Sequence, residues 1–386
     1  MKQYKSETVS VYMTSQILFM IFILVSLNII FAQSKLIVIA TPVIPENQEE
    51  KRILLQDSLE AYFNNDSVGS INRILSLPSG NSPEGITIDR LGNIYISNTK
   101  GENGSINEIL HVGLNGSYSV FATLPGKGQA RGLATDSFGN LYVAFATKDI
   151  NTNGVYRIGR SRLPIRLEGS EKIGSPNSIT FDNLGNLYVT DSYKGANFEG
   201  AVWYYNDKFE EFKILIKDQL LNGGITKPPA PPMQLPGANG IAFYPPNKLY
   251  VANTLQNSIL LITIGDFEKI PTIELVKKDF LLMNIDGIIV DEYGNIYGVL
   301  PPCTLGAVGS SPVPPLIKLD IKSGVVFPVV EDNSYFDTPT SLAFVAGNDN
   351  YINIFITNAA LQYGQPPMAG PGVVKVQLNT SGNGNE

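Results

Sequence analysis

The sequence predicts an all-β fold, a six-bladed β-propeller with four strands in each blade. Three observations point to it. A hairpin motif is written six times at blade-length spacing, two further strand-like runs follow each of the first five copies, and a strand at 69–78 stands ahead of the first hairpin where the last unit lacks one.

The hairpins are PEGITIDRLGNIYISN at 83–98, ARGLATDSFGNLYVAF at 130–145, PNSITFDNLGNLYVTD at 176–191, ANGIAFYPPNKLYVAN at 238–253 and IDGIIVDEYGNIYGVL at 285–300, closed by the looser PTSLAFVAGNDNYINIFITN at 339–358. Each joins two apolar runs through a turn, and Gly-Asn at 92–93, 139–140, 185–186 and 294–295 supplies the positive φ that a tight turn needs. The acids at the turn, Asp89, Asp136, Asp182 and Asp291, suit hydrogen bonding to turn amides. The recurring Tyr95, Tyr142, Tyr188, Tyr250 and Tyr297 suit packing between blades. Steps of about 46 to 62 residues separate the copies, near the upper end of blade lengths.

Outer strands follow in each unit, such as SINEILHV and SYSVFATL in the first, AVWYYN and FKILI in the third, and LIKLDI and GVVFPVV in the fifth. The sixth unit has only GVVKVQL after its hairpin, so GSINRILSLP at 69–78 is expected to close it. Such closure removes the open sheet edges that invite aggregation. The propeller is therefore expected over 68–386.

Ahead of it, residues 17–32 (ILFMIFILVSLNIIFA) carry no charge and follow Lys2 and Lys5, the layout of a signal peptide or a membrane anchor. This predicts a secreted or cell-surface protein, with membrane contact only if the leader is retained. Residues 33–67 form a lead-in whose Leu55, Leu59 and Tyr62 fall at helical spacing. The 386 residues carry a net charge of −7 with no basic cluster, which argues against a nucleic-acid partner. A single cysteine, Cys303, excludes an internal disulfide, and with the single histidine, His111, excludes a Cys/His zinc site.

In a propeller the first strand of each blade lines the central channel. The second hairpin residue changes from copy to copy: Glu84, Arg131, Asn177, Asn239, Asp286 and Thr340. These six side chains are expected to ring one mouth of the channel. Converging polar groups need partners. Two carboxylates and two carboxamides suit a hard, oxygen-preferring cation, calcium before any transition metal, though another divalent ion fits the same donors. The Pro-rich stretches at 221–240, 301–316 and 360–372 fall in connections that end at the same face and are expected to wall it.

PEGI, PNSI, ANGI and IDGI, in that order in a six-bladed chain, resemble the senescence-marker-protein, gluconolactonase and luciferin-regenerating-enzyme-like propellers over 69 to about 378. The resemblance implies that Glu84, Asn239 and Asp286 hold a divalent cation, usually calcium, with Asn177 completing or bordering the site. It also implies a hydrolase of a lactone or related ester, a small-molecule substrate. Asp286 would serve as general base or nucleophile, Asn177 and Asn239 would orient substrate and metal, and Arg131 would bind an anionic or hydroxylated group. The sequence departs from the family where Ser175 stands in place of an arginine, and Arg131 is the candidate replacement or else a partner of Glu84 or Asp286. His111 lies in a third strand, so a structural role is expected for it. The alternative reading is a non-catalytic secreted propeller that binds a ligand or protein, with structural calcium. A strictosidine-synthase-like reading lacks its late-blade glutamate, since Thr340 stands there. A monomer is expected.

Overall fold

Each repeated hairpin forms the two innermost strands of a four-stranded antiparallel sheet. The computed structural model describes residues 25–32, 35–42, 68–206, 210–226, 232–265, 270–301, 314–330, 333–346, 351–361 and 369–379. The innermost strands, in blade order, are Asn81–Ile88, Gln129–Thr135, Pro176–Phe181, Ala238–Tyr244, Ile288–Val290 and Pro339–Ala346.

The sixth blade closes as expected. Its inner three strands are Pro339–Ala346, Tyr351–Asn358 and Gly372–Asn379, and its fourth is Val68–Ser76 from the start of the propeller. Gly372 pairs with Ser76 and Leu378 with Val68. Arg73 fastens this seam, donating from Nη2 to the carbonyls of Gly370 at 2.8 Å and Pro371 at 2.6 Å.

The turns follow the chemistry read from the sequence. In the first, Gly92 has a φ of 82°. Asp89 Oδ1 accepts from the amides of Leu91 and Asn93 at 2.9 Å, and its Oδ2 accepts from Asn93 Nδ2 at 2.8 Å. Asp136, Asp182 and Asp291 repeat the pattern. Residues between blades bury their apolar faces against one another. Tyr142 meets Phe181 of the next blade edge-on at 5.0 Å, and Tyr297 meets Phe344 at 5.5 Å. His111 packs against the Tyr95 ring at 5.3 Å, a structural placement as expected.

The chain divides into two units, Met1–Glu60 and Ala61–Glu386. In the first, Val25–Ala32 pairs antiparallel with Lys35–Pro42. The lead-in stretch with Leu55, Leu59 and Tyr62 lies outside the described residues, as do most of the Pro-rich stretches at 302–313 and 362–368. The stretch before the fourth blade contains a two-stranded ribbon, Gly224–Ile225 with Gln234–Leu235. Among the described residues no helix is long and apolar enough to cross a membrane.

Candidate functional site

The inner strands lie close against one another beside the variable residues. A Cβ added to Gly85 would stand 2.4 Å from the Arg131 carbonyl, and one added to Gly240 would stand 2.4 Å from that of Asp286. Only hydrogen fits there, which explains the glycine after the variable residue. The Gly240 amide donates to the Asp286 carbonyl at 3.2 Å, and the Gly287 amide to that of Thr340 at 2.9 Å. These contacts link the mouth-end backbones of neighbouring blades. They bring Glu84, Arg131, Asn177, Asn239, Asp286 and Thr340 to one end of the channel.

The two carboxamides are oriented by hydroxyls from the second strands. Ser192 Oγ donates its single hydrogen to the Ala238 carbonyl at 2.8 Å, so it can only accept from Asn177 Nδ2, which lies 2.8 Å away. In the next blade Thr254 Oγ1 donates to the Ile285 carbonyl at 2.7 Å and accepts from Asn239 Nδ2 at 2.9 Å. Asn177 Nδ2 is thereby held to the wall and Asn239 Nδ2 between Thr254 and the Asp286 carboxyl, and both Oδ1 atoms remain as acceptors. Asn177 and Asn239 are each 4% exposed, which leaves little room for the amides to turn over.

Two carboxyls share this mouth. Burial pushes the Glu84 carboxyl well above the usual range, the neighbouring Asp286 adds to the rise, and the Arg131 charge offsets part of it. Burial likewise pushes Asp286 up to about 7, against a hydrogen bond from Asn239 and the charge of Arg131. Arg131 thus lies within electrostatic reach of both carboxyls. Its Nη1 donates to Ser175 Oγ at 3.0 Å and its Nη2 to Gln129 Oε1 at 2.7 Å. The guanidinium from the second blade consequently leans onto Ser175, the position where the sequence resemblance led one to expect an arginine.

Thr340 does something different from its neighbours. Its hydroxyl donates to the Glu84 carbonyl at 2.9 Å, tying blade six to blade one. Behind the mouth, the buried Asp191 accepts the amides of Gly174 and Ser175 at 2.8 Å and the Trp203 indole N–H at 3.3 Å, so it fixes the segment leading to Asn177. Sequence reasoning missed Asp191, Ser192 and Thr254, and it named Ser175 only as a departure from the family. The signal was present in the dipeptides Asp191-Ser192 and Asn253-Thr254, which close the hairpins that carry the two asparagines. Among the described residues no group of three or more His, Cys, Asp or Glu side chains converges, so any cation here would draw on the carboxamides as well.

The architecture is that of six-bladed propellers of the gluconolactonase and luciferin-regenerating-enzyme type, as the sequence resemblance implied. A putative gluconolactonase is similar at a TM-score of 0.57 and 14% identity, covering 82% of this chain and 95% of its own. A gluconolactonase from Xanthomonas campestris gives 0.55 and 13%, over 81% and 97%. A luciferin-regenerating enzyme gives 0.52 and 16%, over 82% and 96%. At these identities the likeness is one of fold. No protein-family model matches the sequence, and no curated protein matches it.

Proposed function

We propose that the protein is a divalent-metal-dependent hydrolase of a lactone or related ester, with calcium held at the channel mouth by Glu84, Asn177, Asn239 and Asp286. The observation that carries this reading is the orientation of the two asparagines, whose Oδ1 poles join two carboxyls at one mouth. Neutral and anionic oxygens together suit a hard cation, and a cation would relieve the repulsion that keeps the carboxyls from ionising together. When bound, calcium supplies Lewis acidity toward a carbonyl oxygen.

Asp286 would take a proton from an attacking water, the bound cation keeping its carboxyl in the ionised, basic form. Asn177 holds substrate through its Oδ1 pole, and Arg131, braced by Ser175 and Gln129, binds an anionic or hydroxylated group of the substrate. Calcium titration calorimetry on chelator-treated protein, alongside Asp286→Asn, tests the metal, and a screen of lactones and esters tests the activity. One calcium site weakened by the substitution, with turnover that Asp286→Asn abolishes, is the expected result. Absence of calcium binding removes the mechanism. Binding without turnover of any lactone or ester moves the protein to the scaffold class.

A further inference from the structure

The apolar side chains most open to solvent share one face of the propeller. Among the described residues six large apolar side chains range from 66% exposed at Leu163 to 88% at Leu91 and Ile270, with Leu114, Phe138 and Leu184 between; the next, Ile150, is 64%. Each of the six lies in a connection from first to second or from third to fourth strand. All those connections end at the face opposite Glu84 and Asp286, because the strands alternate in direction. Ile150, in a connection from second to third strand, lies on the face of the variable residues.

We infer that this hairpin-tip face docks on a phospholipid bilayer. The six side chains project singly from turns in four successive blades, separated by polar turn atoms. That suits separate insertion into a lipid interface better than the contiguous packed centre of a protein interface. Val68 pairs with Leu378 at this same end of the sixth blade. The strand Val68–Ser76 therefore starts at the face with the apolar tips. Among the described residues of these turns the exposed cations are Arg90, Arg160, Arg162 and Lys322, which suit anionic headgroups, and the exposed acids are Glu210 and Glu292. This inference is independent of the hydrolase reading.

The test uses the full chain with Cys303→Ser and one new cysteine, Leu184→Cys or Ile150→Cys, each carrying an environment-sensitive fluorophore. Phosphatidylcholine–phosphatidylserine vesicles should blue-shift and brighten the probe at 184, and nitroxide-bearing lipid should quench it, while the probe at 150 stays in water. In parallel, Leu91→Ser/Phe138→Ser/Leu184→Ser should lower vesicle partitioning about 100-fold, the order expected for removing three apolar groups from a bilayer interface. Its melting temperature should hold, since all three side chains are exposed. A probe at 184 that keeps its aqueous spectrum on vesicle-bound protein overturns the inference, because the N-terminal run is then the sole tether. A response at 184 that needs no vesicles and grows with protein concentration also overturns it, in favour of a second copy on this face.

Discussion

Asp286→Asn in the metal-free protein is the most direct probe of the channel mouth. The carboxyl stands near 3.8 in an ordinary environment and at about 7 here. A carboxyl whose folded pKa is raised contributes stability that is fully present below its unfolded pKa and is lost as pH rises through the folded value. The wild-type protein in chelator should therefore weaken between about pH 4 and pH 7. Full linkage would be about 4 kcal/mol. Asp286 is only half-buried, so channel water screens part of the cost and leaves about 1–2 kcal/mol. The amide cannot ionise, so Asp286→Asn should be the more stable protein at pH 8 by that amount and should flatten the profile. Urea unfolding at pH 5 and pH 8 reads this directly. Calcium at a hundred times its Kd should then add about 2.7 kcal/mol to the wild type and less to the variant. A variant that is less stable than wild type at pH 8, or one with the same pH slope, would refute the assignment of a strained, cation-seeking carboxyl.

Other perturbations follow from the same contacts. Ser192→Ala and Thr254→Val remove the hydroxyl acceptors that fix the Asn177 and Asn239 amides, and each should weaken calcium binding about 10- to 100-fold in calorimetry while circular dichroism stays that of a folded propeller. Gly85→Ala and Gly240→Ala drive a methyl to 2.4 Å from a neighbouring carbonyl, so each should cost about 1–3 kcal/mol in urea unfolding. Arg73→Ala removes both bonds across the closing seam and should cost about 1–3 kcal/mol, with hydrogen exchange rising first in Val68–Ser76 and Gly372–Asn379.

The fold was legible because repetition makes a weak local signal strong. One hairpin of two apolar runs is ambiguous, but six in register define blade number, strand order and the channel-lining strand. The register of Val68–Ser76 was legible for the same reason, since it fills the slot that Gly372–Asn379 leaves open. The mouth was half legible. Glu84, Asn177, Asn239 and Asp286 are set by their place in the repeat, whereas the hydroxyls that orient the asparagines act across blade boundaries. Ser192 serves Asn177 in its own blade and the Ala238 carbonyl in the next. The asparagine-to-hydroxyl spacing is 15 residues in both blades, but it does not reveal the onward bond to the next blade's carbonyl. Arg131 reaching Ser175 is hidden likewise, because those residues meet only after two blades pack.

The way the mouth is built explains why its side chains are free to differ. Glycine at 85, 132, 240 and 287 lets one inner strand lie against the next. Blades three and six have Ser178 and Ser341 instead, and there a second-strand threonine bridges the gap. Thr190 donates to the Asn239 carbonyl at 2.7 Å, and Thr357 to the Glu84 carbonyl at 2.6 Å. Both devices act on backbone, and neither uses the side chain of the variable residue. The mouth residue therefore carries no cost for closing the propeller, except at Thr340, whose hydroxyl is committed to the Glu84 carbonyl. Selection on chemistry can act at 84, 131, 177, 239 and 286 while the scaffold holds its shape. That separation lets the inner strands close through backbone contacts whatever side chains stand at the mouth.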